Sequence, residues 1–352
     1  MSRPSTPSRP HASNDDGLPR ALTRGINITG WFRFPVSRDP AALAAYLSDQ
    51  ALADIRAAGF GFVRLAVDPD VAATQRPVLI AAIRRIERQG LTVVISPQPH
   101  DWHLETDPAD RDRLRAFWRA LAPALRTLDP ERTVPEVLNE PVFPHDPAGW
   151  SALQHQVLTI IRQALPNDTV VLTGQDWGSI GGLLALTPEA DPNVLYSFHF
   201  YDPAELTSLA AYRPGLDRAA LARLPFPVED RAGCDATADA SADPATRDLM
   251  RYYCGLGWDA RRIAAATDKA AAWGRLHHVR LLAGEFGATT VLNAPARLAW
   301  LKTARTAFES RSIGWALWGY DDVMGFAVSR PPGRRPVLDR AVLLALHMTT
   351  RM

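Results

Sequence analysis

The stretch Phe62–Pro97, FVRLAVDPDVAATQRPVLIAAIRRIERQGLTVVISP, decides the fold. Two short apolar runs, FVRLAV (Phe62–Val67) and LTVVISP (Leu91–Pro97), flank a longer stretch. That stretch, PVLIAAIRRIERQG, has apolar residues at helical spacing and ends in a glycine stop. The unit reads strand, helix, strand, and it recurs in both directions along the chain. Upstream lies RGINIT (Arg24–Thr29). Downstream lie VPEVLNE (Val134–Glu140), TVVLTG (Thr169–Gly174), NVLYSFHFY (Asn193–Tyr201), VRLLAGEFG (Val279–Gly287) and IGWALWGY (Ile313–Tyr320). Amphipathic segments such as DPAALAAYLSDQALADIRAAG, RDRLRAFWRALAPALRTL and APARLAWLKTARTAFES fill the gaps, and DRAVLLALHM supplies a last helix. Eight nearly continuous apolar strands alternating with helices are expected to be parallel and covered on both sides. The simplest closure is an α/β fold, a single-domain (β/α)8 TIM barrel over residues 21–352. An open doubly wound sheet would normally carry a Gly-rich phosphate turn after its first strand. Here that strand runs into GWFRFP, and no GxGxxG occurs.

Composition agrees with this reading. Of the 352 residues, 47% are hydrophobic and 22% charged, as in a globular protein with a large core. A net charge of +1 gives no reason to expect nucleic acid or a membrane surface as partner. The cations are almost all Arg, with Lys only at 269 and 302. No apolar run approaches the roughly 18–20 residues of a membrane span. The Pro/Ser/Arg-rich residues 1–20 read as a disordered tail without the apolar core of a signal peptide, so a signal is expected to have been removed. Cys234 and Cys254 both fall in RAGCDATADASADPATRDLMRYYCGLGWD, an otherwise irregular segment. They are either two buried thiols or, the favoured reading, a disulfide pinning a long loop. A bridge implies an oxidising compartment, secreted or periplasmic.

In a barrel of this kind chemistry sits where strands end. The runs end in Arg64, in His100 beside Trp102 and His103, in Asn139 and Glu140, in Gln175, Asp176 and Trp177, in His199 and Tyr201, in Glu285, and in Trp318. Each alone has an ordinary structural explanation. Arg64 could sit in a buried ion pair, His199 in the core, Glu140 at a helix cap, and Glu285 beside Arg280. Together they line one rim, which stability does not require, because lone buried carboxylates cost several kcal/mol. His199 and Tyr201 alternate with Phe198 and Phe200, so the polar pair faces inward. Glu140 and Glu285 then face each other across the mouth. Glycoside hydrolysis needs such a pair, one carboxyl to protonate the leaving oxygen and one to attack the sugar carbon. Arg64 can hold one of them ionised. Asn139 can bind a sugar hydroxyl, and among the ten Trp, Trp31, Trp177 and Trp318 can stack on pyranose rings.

VRLAV, VLNEP, FHFY, GEFG and WALWGY, in this order, resemble glycoside hydrolase family 5, the cellulase-like retaining β-glycosidases. The resemblance runs from RGINITGWF to Trp318. It implies Glu140 as acid/base, Glu285 as nucleophile and Asn139 as the ligand of the 2-hydroxyl. It implies that Arg64 and Tyr201 orient the nucleophile, that His100 and His199 line the sugar site, and that Trp318 lies under the sugar. His103 is an alternative to His100, because SPQPHDWH departs from the family's usual strand-3 ending. The long loop after strand 6, about 202–257, is expected to be functional. It could wall off one end of a cleft, turning endo action to exo action or favouring transfer.

The reading is thus a cellulase-like hydrolase of β-linked glucan. β-Mannanase, exo-β-glucosidase and transglycosylase action are its alternatives within the family. A non-catalytic carbohydrate-binding barrel would not need both carboxylates. A phosphate- or nucleotide-binding enzyme would need the missing Gly-rich loop. No metal or other cofactor is expected, and the partner is an oligo- or polysaccharide.

Overall fold

The computed structural model describes residues 20–322, 325–330 and 337–348, so the expected tail lies almost entirely outside them. Eight strands are β1 (Arg24–Phe32), β2 (Phe62–Val67), β3 (Thr92–Pro97), β4 (Thr133–Pro135), β5 (Val170–Thr173), β6 (Val194–Phe200), β7 (Arg280–Phe286) and β8 (Gly314–Leu317). All their pairings are parallel, in the order β4-β3-β2-β1-β8-β7-β6-β5. The two ends meet through one bridge, Glu136 to Val171, and through the Val137 amide donating to the Val171 carbonyl at 3.0 Å. The sheet is therefore a nearly closed barrel, as the alternation of runs implied.

Two cores result. The larger lies between strands and helices and takes in Phe198, Phe200, Trp300 and Phe308. The smaller plugs the barrel with Leu22, Phe62, Val94, Val134, Val171, Leu195, Leu282 and Ala316. β1 makes room for the plug with Gly25, where a Cβ would fall 2.2 Å from the Phe62 ring. Two residues further along the strands the next interior layer is polar and buried: Asn27, Arg64, Ser96, Glu136, Thr173 and Ser197. The apolar plug is the floor, and this layer is the base of the functional site.

The helices depart from the expected pattern in three places. DPAALAAYLSDQALADIRAAG forms two helices, α1 (Pro40–Ala45) and α2 (Asp49–Ala57), because Ser48 caps the second by accepting from the Ala51 amide. The next, α3 (Pro69–Arg88), begins before Pro77 and bends at Gln75, as an internal proline requires. After α4 (Pro108–Leu125), α5 (Pro147–Ala164) and α6 (Ile180–Leu184) comes the segment expected to be an irregular loop. It instead contains α7 (Ala204–Thr207), α8 (Arg218–Leu221), α9 (Arg231–Asp239) and α10 (Pro244–Leu256). Cys234 and Cys254 are bonded, with Cα atoms 5.7 Å apart, and tie α9 to α10 across a separation of 20 residues. Closing a loop of that size contributes about 3 kcal/mol in the chain-entropy picture. α11 (Ala260–His277), α12 (Ala294–Glu309) and α13 (Arg340–Ala345) complete the set.

Candidate active site

Arg64 is the hub of the polar layer. It points inward two residues above Phe62 and is fully buried. Its Nε and Nη2 donate to Glu136 at 2.7 and 2.6 Å. Nη1 donates to Glu285 at 2.5 Å and to Asn27 Oδ1 at 3.0 Å, and Nη2 also reaches Asn139 Oδ1 at 2.8 Å. The guanidinium is thus held in place from β1, β7 and the end of β4.

Glu285 owes its direction to a bulge. Strand parity would send Gly284 inward and Glu285 outward, but the β6/β7 register shifts between Phe198 and His199. A bulge of this kind re-aims a side chain. Gly284 permits it, because a Cβ there would meet Ser197 Oγ at 2.4 Å. The other Glu285 oxygen accepts from Tyr201 Oη at 3.0 Å. Glu140 is turned inward differently. Its backbone is left-handed (φ 41), a conformation costing roughly 1–3 kcal/mol for a residue with a Cβ and found mostly where function demands it. Its Oε1 lies 2.8 Å from His199 Nδ1, which is 3.5 Å from Glu285. Oxygens of the two glutamates and a ring nitrogen of His199 all lie within 4.8 Å of one another. That trio could gather a cation, but the Glu285 oxygens already accept from Arg64 and Tyr201, so a divalent ion would meet a guanidinium.

Electrostatics follow from the crowding. Burial alone would lower the basicity of Arg64, but the charges of Glu136 and Glu285 outweigh it and raise its pKa. Burial likewise opposes a proton on His199, whereas Glu285 and Glu140 favour one, and the balance is upward from the ordinary value. Arg64 acts in the opposite sense. Burial, then the charge of Glu285, pushes the Tyr201 phenol well above its usual range, so it stays a donor. A His with a raised folded pKa stabilises the fold fully below its unfolded pKa of about 6.5, and that contribution is lost as pH rises through the folded value. We therefore expect the melting temperature of wild type minus that of His199→Asn to fall as pH rises above about 6.5. A difference that stays flat or rises would contradict the charge balance.

Against known proteins, a family model described as Cellulase (glycosyl hydrolase family 5) matches residues 24–322. The chain belongs to glycosyl hydrolase family 5. Endoglucanase 3 of Fibrobacter succinogenes is 24% identical over 331 residues, covering 85% of this chain but 49% of the relative, so the chain spans about half its length. Endoglucanase C of Acetivibrio thermocellus is 23% identical over 345 residues, covering 93% of this chain and 98% of the relative. Among solved structures, endoglucanase Cel5A of Thermotoga maritima superposes with a TM-score of 0.74 at 22% identity, covering 93% of this chain and 97% of that one.

Most residues matched to the family 5 pattern converge: Arg64, Asn139, Glu140, His199, Tyr201 and Glu285 form one hydrogen-bonded cluster. Trp31, His100, His103 and Trp318 stand apart from this cluster. Trp31 is fully buried, stacks on Phe32 and Tyr46 and donates to the Leu43 carbonyl at 2.7 Å, so it offers no face to a sugar. The irregular register of β1 between Ile28 and Phe32 turns it toward the helices. His100 lies on the loop beyond β3, half open, 3.2 Å from the Arg33 carbonyl and against Phe34. His103 is exposed and contributes its backbone amide to Asp110. Trp318 leaves 4% of its surface open, against 62% for Trp177.

Sequence reading missed Glu136, Asn27, Arg33 and Gln98. Gln98 stands directly after β3, buried, and accepts from Arg33. Burial lowers the basicity of Arg33, while the charges of Glu285 and Glu140 work against that, so a second cation faces the carboxylates. Glu136 and Asn27 were discoverable: each is a lone polar residue inside an apolar run, one register step above the plug.

Proposed function

We propose that the chain hydrolyses β-linked glucan with retention of anomeric configuration, using Glu285 as nucleophile and Glu140 as acid/base. Glu140 gives its proton to the glycosidic oxygen while a Glu285 oxygen attacks the anomeric carbon. The carbon–oxygen bond breaks, and a glycosyl ester forms on Glu285. Glu140, now a carboxylate, takes a proton from water, whose oxygen displaces Glu285. Arg64 and Tyr201 fix Glu285 for attack, and Asn139 binds the hydroxyl next to the reacting carbon. Trp177 offers its open ring to a neighbouring sugar, and the inner edge of Trp318 closes the pocket.

The observation that carries this reading is the close approach of Glu140 and Glu285, with oxygens within 4.8 Å. It fits the roughly 5–5.5 Å carboxyl spacing of retaining enzymes better than the ~6.5–9.5 Å of inverting ones. The endoglucanase relatives support glucan as substrate. A second reading, β-mannan, draws on the Thermotoga maritima Cel5A structure in complex with mannotriose. The disulfide supports a secreted or periplasmic site of action.

Proton NMR of the first products from β-1,4-glucan and from an aryl β-cellobioside tests the proposal. Initial release of the β-anomer is expected, and initial α-anomer would overturn the mechanism. Faster cleavage of mannan than of glucan would move the substrate to the second reading.

A further inference from the structure

The insertion after β6 holds a cleft outside the catalytic centre. Glu205, Tyr212, Arg213, Asp248, Leu249 and Tyr252 line a cavity of about 560 Å³. That volume lies within the ~300–1,000 Å³ range of small-ligand sites. Glu205 follows Tyr201 closely on the segment leaving β6, which sets this wall of the cleft at the end of the barrel that carries the glutamate pair. The two tyrosines are 65% and 58% exposed, unlike Tyr196, Tyr253 and Tyr320, which are buried.

The chemistry of the walls is selective. Tyr212 donates to Glu205 at 3.2 Å, which fixes one ring and leaves a carboxylate oxygen available. Arg213 and Asp248 add a donor fork and a second acceptor at the same opening. Open aromatic faces interleaved with carboxylates and a guanidinium suit a ligand with flat apolar C–H faces and a rim of hydroxyls. A sugar ring has both. A hydrophobic protein segment would leave the two acids and the Arg unpaired, and an anionic ligand would meet Glu205 and Asp248.

We propose that this cleft is an accessory sugar-binding site that takes a part of the glucan chain remote from the bond being cut. It rests on the glucan reading above and extends it. The insertion thereby lengthens the substrate track, and the Cys234–Cys254 bond stiffens the helix, α10, that carries Asp248 and Tyr252.

The test is a Tyr212→Ala/Tyr252→Ala double variant of the whole protein, compared on a long soluble β-1,4-glucan and on a short aryl β-cellobioside. Losing two stacking faces is expected to raise KM on the long glucan about tenfold. Kinetics on the aryl cellobioside should stay unchanged. Tyr212→Phe/Tyr252→Phe keeps both rings and should retain most of the wild-type KM. An unchanged KM on the long glucan in the alanine variant would overturn the proposal, as would an equal loss on both substrates. If the wild type cleaves neither substrate, the mechanism above has failed rather than the cleft. Retardation in native gels containing β-glucan then reads the cleft alone: a retarded wild type with an unretarded alanine variant supports it, and equal mobility overturns it.

Discussion

Glu285→Gln is expected to lower kcat by roughly 10⁴-fold or more on every substrate, with the fold intact. The amide is nearly isosteric and its one oxygen can still accept from Arg64, while its NH2 takes the place of the oxygen that accepted from Tyr201, and it cannot form the glycosyl ester. Glu140→Gln should behave differently. Its loss should fall in the roughly 10²–10⁴-fold range of general acid–base catalysis on natural glycans. It should shrink on aryl glycosides with acidic phenol leaving groups, which depart without protonation. Measuring both variants on a series of aryl cellobiosides separates the roles. Equal losses for both across the series would reverse or cancel the assignment.

The second large effect concerns Arg64. Arg64→Met leaves Glu136 and Glu285 buried without their shared cation, and removing one partner of a buried pair costs about 3–5 kcal/mol. Chemical denaturation should show a loss of that size together with loss of activity. Arg64→Met/Glu136→Leu removes the cation and its bidentate partner together, so most of the stability should return, because an apolar replacement of a buried ion pair is close to neutral. Activity should not return, since Glu285 would keep only Tyr201 and His199. If the double variant recovers turnover, Arg64 serves folding and not the nucleophile.

The barrel and the rim were legible because both rest on period. Strand and helix runs alternate at lengths that leave few closures, and polar residues at apolar strand ends mark a rim. What escaped was set by breaks in the period. A register irregularity in β1 turns Trp31 away from the mouth, whereas one between β6 and β7 turns Glu285 into it. VPEVLNE was expected to be strand to Glu140, but ladder pairing ends at Pro135. Beyond it the chain is held by isolated amides, those of Glu136 to Ile95, Val137 to Val171 and Asn139 to Pro97. Glu136 went unnoticed because its partner Arg64 lies 72 positions earlier, and the two meet only once β2, β3 and β4 lie side by side in the sheet. In the insertion α7 and α8 are four residues each, too short for a periodic signal, whereas α9 and α10, of nine and thirteen residues, were missed although Leu249, Met250, Tyr253 and Cys254 mark a buried side of α10.

The seam between β4 and β5 gives the barrel the character of a split ring. Among the described residues seven neighbouring pairs are laddered, while this one is stitched by a single bridge, Glu136 to Val171. Sideways strain therefore concentrates there. Glu140 rides on one lip and Trp177, whose amide donates to the Pro141 carbonyl, on the other. A slight spreading of the gap would shift the proton donor and the aromatic surface relative to each other. Arg64 and Glu285, on β2 and β7, border neither lip and would hold their alignment throughout.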